Sequence, residues 1–545
     1  MINFSFLSFE FLVDDAAILQ LKSLLLNKLR HSDCFPLLQR GIEGDFSDIA
    51  QKHYLKRYTY GTYWNVFFSL RSLRLCGKLF QMMKPQKGQT IELDIEKMAY
   101  GGRGIGRVDG FVVFLRGVAP GDRVQARVYK KKKGYAEASL VELITPSPER
   151  VQAPCPYSGY CGGCQWQHIQ YAAQLSYKKE QVEEAIEHIG GLKDVKVRNV
   201  LPSKEVFGYR NKMEFSFSDR RWFLPHELDK RAVEGNVALG LHVPGTYQKV
   251  IDVEACLLQQ ETGNRILREV KKHVKKSGIP VYGLKSHEGF WRFLTIRYSR
   301  AFDEWMVNLV TSEELQEVVR PMADELSQRI ANIRTVVNNI TGRKASIAVG
   351  EREVVLKGEG YIRDKIGPYT FQISSNSFFQ TNSLAARQLY EKAADYAELK
   401  GSETVLDLYS GTGTIPIFLA NRAKVVTGIE ISESAVLDAR NNCKDNGIDN
   451  CRFIIGDIRE RLSAITYKPD ALIIDPPRAG MHKHVLAQIL ALSPEKIIYI
   501  SCNPATMARD IAQMIEKYEL IEIQPVDMFP HTYHIEAVAK LCLRK

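Results

Sequence analysis

The chain of 545 residues contains no long apolar run. None reaches the ~18 consecutive residues that a membrane-spanning helix needs, so we expect no membrane partner. Cysteine is also sparse, at ten residues in the whole chain. We expect no secretory signal peptide ahead of these cysteines, and therefore no disulfides and a cytoplasmic location.

Acidic residues are outnumbered by basic ones. The chain has 63 Asp and Glu against 74 Lys and Arg, which gives a net charge of +11. A basic chain with a pI near 9.0 suits a polyanionic partner such as nucleic acid. A charged fraction of 25% with 45% hydrophobic residues is typical of globular protein, and the length predicts three or four domains.

The segment Ser501-Cys-Asn-Pro504 is the most informative in the chain. It follows an apolar run at 496–500 that reads as a buried strand, and it precedes a predicted helix at 505–510. Asn503 is a good N-cap and Pro504 suits the first helical position. Cys502 is therefore predicted at the carboxyl end of a strand, where α/β sheets bind ligands. We expect the helix dipole to lower the pKa of this thiol.

A cofactor site is predicted upstream of this cysteine. A strand at 403–408 leads into Gly411 and Gly413, whose backbone can approach a ligand closely. Three later strands each end in an acid, at Glu430, Asp457 and Asp475, so the unit reads as a repeated βαβ arrangement. A dinucleotide site usually has a third glycine, which is lacking here. An adenosine that carries a sulfonium fits the crowd of acids better.

Four motifs in the carboxyl-terminal half resemble those of the RNA 5-methyluridine methyltransferase family, which uses S-adenosylmethionine. They are Asp407-Leu-Tyr-Ser-Gly-Thr-Gly413, Asp475-Pro-Pro-Arg-Ala-Gly480, Ser501-Cys-Asn-Pro-Ala-Thr506 and Met528-Phe-Pro-His-Thr-Tyr-His-Ile-Glu536. The resemblance covers roughly residues 84–545. It implies that Cys502 is the nucleophile and Glu536 the base, with His531 or His534 as the alternative base. The expected cofactor contacts are Gln380, Tyr409, Gly411, Glu430, Asp457 and Asp475.

The chemistry implied by this resemblance needs a thiolate and a base. Carbon 5 of uracil is a poor nucleophile until a thiolate adds to carbon 6, after which carbon 5 can attack a sulfonium methyl group. A base must then remove the proton on carbon 5 so that the thiolate can leave. Asp475 can bind either the uracil edge or the methionine amino group. A uridine in folded RNA must also be unstacked to reach the cysteine.

A second group of cysteines lies near the middle of the chain. Cys155, Cys161 and Cys164 are separated by five and two residues, a spacing that suits metal ligands. Zinc and an iron–sulfur cluster both accept thiolates, although zinc sites more often use two Cys-x2-Cys pairs and this chain has one. The family resemblance favours a 4Fe-4S cluster with Cys256 as the fourth ligand.

The sequence predicts a multidomain α/β protein. Short alternating strands with glycine turns predict a small barrel of oligonucleotide-binding type at 84–145, similar to the TRAM domain, with four lysines at 130–133 that can follow RNA phosphates. A central α+β RNA-binding domain with the iron–sulfur cluster is expected at 146–375, and a Rossmann-like methyltransferase sheet at 376–545. Residues 1–83 form an extension of doubtful origin with one amphipathic helix at 19–29, and we expect the native start at Met82 or Met83.

Several functions compete with uridine methylation. An amino-group methyltransferase needs an aromatic residue after Asp-Pro-Pro, but Arg478 stands there, and a cytosine carbon-5 enzyme uses different cysteine contexts. A non-enzymatic RNA-binding or RNA-folding protein is a further alternative. Within the resemblance, relatives that act on transfer RNA generally lack both the barrel and the cysteine cluster. We therefore expect ribosomal RNA as substrate, with transfer RNA as the alternative, and a monomer without an obligate protein partner.

Overall fold

The computed structural model describes residues 84–230, 235–344 and 347–545. The extension at 1–83, with its predicted helix at 19–29, lies outside the described residues. Within the described ranges, no helix is both long enough and apolar enough to cross a membrane.

A closed five-stranded barrel forms the first part, as predicted. Its strands follow the order β1-β2-β3-β5-β4 around the barrel. They are β1 (Thr90–Ala99), β2 (Arg103–Val108), β3 (Phe111–Leu115), β4 (Arg123–Lys131) and β5 (Tyr135–Thr145). The interior is filled by alternate aliphatic side chains such as Leu93, Val113 and Val124. Glycine is required at Gly104, because a Cβ there would lie 2.4 Å from a methyl group of Val118.

The barrel is fixed to the rest of the protein by buried contacts. Met98 and Ala119 pack in one apolar cluster with Trp166 and Tyr177. Arg150 donates two hydrogen bonds to the fully buried carboxylate of Asp122, both at 2.7 Å. Burial strengthens such a bidentate pair because water does not compete for it. The barrel therefore has a defined position against the remaining domains.

The central part is built on a seven-stranded sheet of order β12-β11-β10-β9-β6-β7-β8. Only β10 and β11 pair in parallel; the other pairs are antiparallel. Two helices, α2 and α3, pack on it and bury aliphatic side chains against the strands. The elements are α1 (Tyr171–Glu184), β6 (Lys212–Ser218), β7 (Ala238–His242), β8 (Val250–Asp252), α2 (Glu261–Ser277), β9 (Trp291–Ser299), β10 (Glu304–Thr311), α3 (Gln316–Arg329), β11 (Ile333–Ile340) and β12 (Arg352–Lys357).

The carboxyl-terminal part is a second seven-stranded sheet, of order β17-β16-β15-β18-β19-β21-β20, with helices on both faces. The five neighbouring strands β17, β16, β15, β18 and β19 pair in parallel, whereas β21 runs antiparallel to both of its neighbours, β19 and β20. The strands are β15 (Thr404–Leu408), β16 (Val425–Glu430), β17 (Cys451–Ile455), β18 (Ala471–Ile474), β19 (Lys496–Ser501), β20 (Tyr518–Val526) and β21 (Glu536–Leu543). The helices are α4 (Ser383–Ala397), α5 (Thr414–Leu419), α6 (Glu433–Asp445), α7 (Ile458–Arg461), α8 (Lys483–Leu492) and α9 (Pro504–Ala512).

Two segments assigned by sequence to the central domain pack against the carboxyl-terminal sheet. The hairpin of β13 (Tyr361–Ile366) and β14 (Tyr369–Ser374) places its apolar side chains in the same core as α4. Helix α1, followed by a π-helical turn at Ala185–Ile189, packs on the opposite face of that sheet. The chain thus crosses between the central part and the carboxyl-terminal part more than once. The domain boundary at 375 remains a prediction.

Candidate active site

A cavity of about 1000 Å³ opens at the carboxyl ends of the parallel strands. It is the edge at which ligands bind in α/β sheets, because helix N-termini and strand-end loops converge there. Seven of the residues predicted for catalysis or cofactor binding line this cavity. They are Gln380, Tyr409, Gly411, Glu430, Asp475, Cys502 and Glu536.

The glycine turn after β15 forms one wall of the cavity. Tyr409 and Gly411 have positive φ angles of 67° and 53°, so the chain turns sharply there. A Cβ on Gly411 would meet nothing within 4 Å, which leaves room for a ligand against the backbone. Gly413 has a different role, because a Cβ there would lie 2.9 Å from both Ala439 and Phe453. Close packing, not ligand approach, requires the second glycine.

Glu430 is held rigidly at the end of β16. Its carboxylate accepts a hydrogen bond from the backbone N–H of Gly411 at 3.0 Å and another from that of Ser432 at 2.8 Å. These two donors fix the side chain at the mouth of the glycine turn. This is the position in which an acid can accept hydrogen bonds from ribose hydroxyls.

Asp457 does not join the other predicted cofactor residues. Its carboxylate caps α7 by accepting from the backbone N–H of Arg459 at 2.8 Å, and it also pairs with the Arg459 guanidinium. These hydrogen bonds lower the pKa of Asp457 to about 2. Asp457 is absent from the cavity lining within the described ranges. A strand-end acid in sequence can thus be a helix cap in the fold.

Two acids at this edge of the sheet, Asp475 in the cavity lining and Asp407 near the end of β15, hold protons more strongly than free carboxyls. Burial raises the pKa of Asp475 to about 7. Burial, followed by the nearby charges of Asp475 and Glu430, raises the pKa of Asp407 well above its usual value. Neither carboxyl oxygen of Asp407 has a hydrogen-bond partner in the described part of the chain. Such a set of acids favours a cationic ligand, because a cation stabilises their charged forms.

Cys502 follows β19, and Asn503 caps α9 as predicted, since its side chain accepts from the Ala505 N–H at 3.1 Å. The expected lowering of the thiol pKa is wrong. Burial first, then the negative charge of Glu536, raises the pKa of Cys502 to about 11. Arg478 opposes this shift by its charge and its hydrogen bonding. The cost of desolvating a thiolate outweighs the effect of the short helix.

Glu536 is the first residue of β21 and is buried in the cavity wall. Because β21 runs antiparallel to β19, Ser501 pairs with Ala537. Cys502 and Glu536, 34 residues apart in sequence, therefore stand at one corner of the sheet. Burial, then the charge of Asp475, raises the pKa of Glu536 well above its usual value, while Arg478 lowers it. The Glu536 carboxyl therefore binds its proton more strongly than a carboxyl in water does.

The two alternative bases are placed differently. His534 lines the cavity, and burial lowers its pKa to about 4, so it is neutral at pH 7. His531 is absent from the cavity lining in the part of the chain that the structure describes. Its ring stacks on Phe207 at 4.3 Å, and its backbone N–H donates to the Gln174 side chain at 2.9 Å. His531 therefore anchors the loop that leads into Glu536.

Sequence reasoning missed Arg478 as a site residue. It lines the cavity, and its charge acts on the pKa values of both Cys502 and Glu536. Its backbone carbonyl accepts a hydrogen bond from the Asn503 side chain at 3.0 Å, which ties it to the start of α9. The signal was present in the motif Asp475-Pro-Pro-Arg478, where a cation follows two rigid prolines.

The four cysteines predicted as metal ligands line one cavity of about 190 Å³. They are Cys155, Cys161, Cys164 and Cys256. Within the described residues, no three His, Cys, Asp or Glu side chains are placed to hold a single metal ion. The structure therefore brings the four thiols around a common space without forming an ion site. The remaining lining is partly apolar, with Met213, Leu241 and Val253.

The cysteine loop is joined directly to the loop that precedes Glu536. The backbone N–H groups of Gln165 and Trp166, next to Cys164, both donate to the carbonyl of His531 at 3.0 Å. Earlier in the loop that precedes Glu536, the Asp527 carboxylate accepts a hydrogen bond from the Lys178 ammonium at 2.6 Å, and both side chains are fully buried. The position of the loop that precedes Glu536 thus depends on the central part of the molecule.

Comparison with known proteins places these features in a family. A family model described as tRNA (uracil-5-)-methyltransferase matches residues 248–544, and a TRAM domain model matches residues 84–141. An uncharacterized RNA methyltransferase of Chlorobaculum tepidum is 42% identical over 84% of this chain and 97% of its own length. Another from Halalkalibacterium halodurans is 37% identical over 85% of this chain and 99% of its own length.

A solved structure extends the comparison to three dimensions. It is the crystal structure of a Pyrococcus abyssi tRNA (uracil-54, C5)-methyltransferase in complex with S-adenosyl-L-homocysteine. It is 30% identical to this chain, with a TM-score of 0.66, over 83% of this chain and all of that one. The matches cover the barrel, the cavity and the strand ends described above. This chain belongs to the tRNA (uracil-5-)-methyltransferase family of RNA methyltransferases.

Proposed function

We propose that this protein methylates carbon 5 of a uridine in RNA, with S-adenosylmethionine as methyl donor, Cys502 as nucleophile and Glu536 as base. One observation carries the proposal. The antiparallel pairing of β19 with β21 sets Ser501 opposite Ala537, so the thiol and the carboxyl stand together at the end of the cavity. The chemistry at carbon 5 needs these two groups on one substrate.

The cavity fits the proposed methyl donor. Its volume of about 1000 Å³ lies at the upper end for sites that bind small molecules. Asp407 has two buried oxygens without partners in the described ranges, and the acids nearby would be stabilised by a positive sulfur. The donor supplies an electrophilic methyl group. The residues proposed to hold it are Gln380, Tyr409, Gly411, Glu430 and Asp475; Asp457 is left out because Arg459 occupies its carboxylate.

The protons must move before the reaction begins. Cys502 has to lose its proton to attack carbon 6, and Arg478 supplies the positive charge that favours its thiolate. Glu536 has to be ionised to act as a base, and a cation bound among the acids favours its charged form, against the burial that raises its pKa. The Cys502 proton passes to solvent, and the S–C6 bond forms as the C5–C6 double bond opens. Carbon 5 then takes the methyl group as the S–CH3 bond breaks and a neutral thioether leaves, and Glu536 accepts the carbon 5 proton. The S–C6 bond breaks as the double bond returns.

The proposal is tested by release of tritium from RNA labelled at carbon 5 of uridine. Wild-type protein should release tritium and incorporate methyl groups in equal amounts. Cys502→Ala should abolish both while cofactor binding persists. Cys542→Ala is a matched control, because Cys542 lies at the far end of β21, opposite Lys496. Turnover by the Cys502→Ala variant would exclude Cys502 as nucleophile.

Glu536→Gln separates the two halves of the reaction. Without the carboxylate the methyl group should still be transferred, but the carbon 5 proton should remain and the S–C6 bond should persist. A covalent complex of protein and RNA is then expected on denaturing gels. RNA that contains 5-fluorouridine should trap the wild-type protein in the same way, since fluorine cannot leave as a cation. Normal turnover by Glu536→Gln would transfer the role of base to His534.

Ribosomal RNA is the substrate we propose, on the family resemblance of the barrel and cysteine cluster. Transfer RNA is the second candidate, favoured by the match to the Pyrococcus abyssi enzyme. The match to that enzyme covers 83% of this chain, which is more than residues 146–545 alone, since these are 400 of the 545 residues. The match therefore extends into the first 145 residues. The barrel alone does not separate the two substrates. Methyl transfer to ribosomal RNA and to transfer RNA, assayed separately with the same preparation, decides between them. We also propose that the protein acts as a monomer.

We propose that Cys155, Cys161, Cys164 and Cys256 hold a 4Fe-4S cluster. Support comes from four thiols around a shared cavity of about 190 Å³, a space larger than one ion needs. Four thiolates are the usual ligands of such a cubane. Protein purified without oxygen should contain about four irons per chain and absorb in the visible region. Zinc in place of iron, or iron binding unaffected by Cys256→Ser, would contradict this assignment.

A further inference from the structure

The turn between β1 and β2 brings one barrel residue to the rim of the active site. Tyr100 follows the last residue of β1, and its hydroxyl lies 3.4 Å from the backbone carbonyl oxygen of Cys502. Its ring meets that of Tyr533, in the loop before Glu536, edge to face at 5.8 Å between centroids. Tyr100 is absent from the cavity lining within the described residues and stands just outside it.

The position of this turn is fixed by close packing. Gly102 has a φ of 78°, and a Cβ there would lie 2.9 Å from the Tyr533 ring and 3.4 Å from Gln165. Tyr533 also packs against the cluster that contains Met98 and Trp166. Only a glycine allows the barrel to approach the catalytic loop this closely. The ring of Tyr100 is therefore held in place beside the nucleophile.

Packing alone does not account for this ring. Tyr100 is 40% exposed, although it lies between two domains and beside a reactive thiol. Burial and the neighbouring groups raise its pKa to about 12, so the phenol is uncharged at neutral pH. An uncharged, exposed aromatic ring on a basic RNA-binding protein is a surface on which a base can stack.

The chemistry at Cys502 creates a need for such a surface. A uridine that enters the cavity leaves its neighbours in the RNA without a stacking partner, which costs free energy. The nucleotide next to the target must pass over the rim within a few ångströms of Cys502. An aromatic side chain at that place can replace the lost stacking.

We propose that Tyr100 binds the RNA nucleotide adjacent to the target uridine by stacking on its base. The barrel then takes part in the active site itself, as well as in general RNA binding. This inference rests on the proposed function, because it presumes a uridine bound at Cys502. Specificity for the flanking sequence would follow, since purines stack more strongly than pyrimidines.

The experiment compares ring and hydroxyl at this position in the full-length protein. Tyr100→Leu removes the ring, Tyr100→Phe keeps it, and Tyr100→Trp enlarges it. Tyr467→Leu is the matched control. Tyr467 is 37% exposed, and its hydroxyl donates a hydrogen bond to Thr427 at 3.1 Å. It precedes β18, at the edge of the sheet opposite the cavity. The RNA probes are unmodified ribosomal RNA and transfer RNA.

Two measurements are made on each variant. The first is the dissociation constant for RNA in the presence of S-adenosylhomocysteine, where no chemistry occurs; the second is kcat and KM for methyl transfer. Tyr100→Leu should raise both the dissociation constant and KM about ten-fold, as expected for loss of one stacked base, with little change in kcat. Tyr100→Phe, Tyr100→Trp and Tyr467→Leu should stay within about two-fold of wild type.

The outcomes separate this inference from the proposed function. Unchanged RNA affinity and KM in Tyr100→Leu would overturn the stacking role. A defect in Tyr100→Phe equal to that in Tyr100→Leu would also overturn it, because the hydroxyl would then be the important group. Absence of tritium release by wild-type protein would contradict the proposed function, while the affinity measurement would still test Tyr100. Unchanged affinity for S-adenosylhomocysteine shows that each variant is folded.

Discussion

At the scale of single residues, Arg478 acts on both groups of the proposed reaction centre. Its positive charge lowers the pKa of Cys502 and that of Glu536, whereas burial raises both. Its backbone is tied to α9 by hydrogen bonds from the side chains of Asn503 and Thr506, at 3.0 and 3.4 Å. The guanidinium thus has a fixed base from which to stabilise a thiolate.

Arg478→Met should raise the pKa of Cys502 further, because the charge that opposes the burial effect is lost. Formation of the covalent complex with 5-fluorouridine RNA should slow, and its rate should reach its plateau at a higher pH than in wild type. Arg478→Lys should restore part of the rate because it restores the charge. Identical pH profiles for wild type and Arg478→Met would show that Arg478 does not act on the thiol.

Asp475 should make cofactor binding depend on pH. Its pKa of about 7 means that it is protonated below pH 7 and charged above it. The affinity for S-adenosylmethionine, whose sulfur is positive, should therefore increase from pH 6 to pH 8. S-adenosylhomocysteine, whose sulfur is neutral, should show a weaker dependence. Calorimetric titration of both ligands tests this, and Asp475→Asn should abolish the difference between their pH profiles.

At the scale of structural elements, the loop between β20 and β21 is supported from outside its own domain. Its His531 carbonyl accepts from two N–H groups beside Cys164, and its Asp527 carboxylate accepts from Lys178 on α1. Tyr171, also on α1, donates to the same carboxylate at 2.7 Å. A loop that positions a catalytic carboxyl needs such support, because small displacements reduce the rate strongly.

Lys178→Ala should destabilise the protein by about 3–5 kcal/mol, because it leaves the Asp527 carboxylate buried without its cation. The loss should appear in urea unfolding and be accompanied by a lower kcat. Lys178→Met combined with Asp527→Leu should recover much of the stability. Arg387→Ala is the control, since the pair with Glu391 on α4 is exposed and should contribute less than about 1 kcal/mol. Equal effects of the two single substitutions would contradict this account.

At the scale of the whole molecule, three parts of the chain meet at one edge. The barrel contributes Tyr100, the cysteine loop supports His531, and the carboxyl-terminal sheet supplies Cys502 and Glu536. The barrel also presents lysines to solvent, of which Lys132 and Lys133 are exposed beyond the end of β4. A chain of net charge +11 can use them to hold RNA phosphates while a uridine enters the cavity.

Replacing Lys132 and Lys133 together by Glu should weaken RNA binding and reduce the dependence of log Kd on log salt by about two, one for each lost phosphate contact. Affinity for S-adenosylhomocysteine should not change. The control replaces Lys400 and Lys468 by Glu. Both lysines are exposed, and they precede β15 and β18 at the edge of the sheet opposite the cavity. An unchanged salt dependence in the Lys132 and Lys133 variant would show that these lysines do not contact phosphates.

Local patterns in the chain were enough to locate the main strands and the candidate site residues. The turn chemistry around Asn503 and Pro504 located the end of β19, and the alternation of apolar residues located the barrel strands. These signals are local, so they survive without knowledge of the fold. Membership of the family followed from short motifs for the same reason. Seven of the eight residues predicted for catalysis and cofactor binding line one cavity, although their roles remain proposals.

The pKa values and the contacts of those residues depend on the folded chain. The helix predicted after Cys502 suggested a lowered thiol pKa, but burial and the neighbouring carboxyl of Glu536 raise the pKa of Cys502 to about 11. Asp457 and Glu430 both stand at the end of a strand in the sequence, yet the Asp457 carboxylate is paired with the Arg459 guanidinium. The contact between Tyr100 and Cys502 spans 402 residues. Burial, charge and long-range packing are sums over neighbours distant in sequence, and no local pattern contains them.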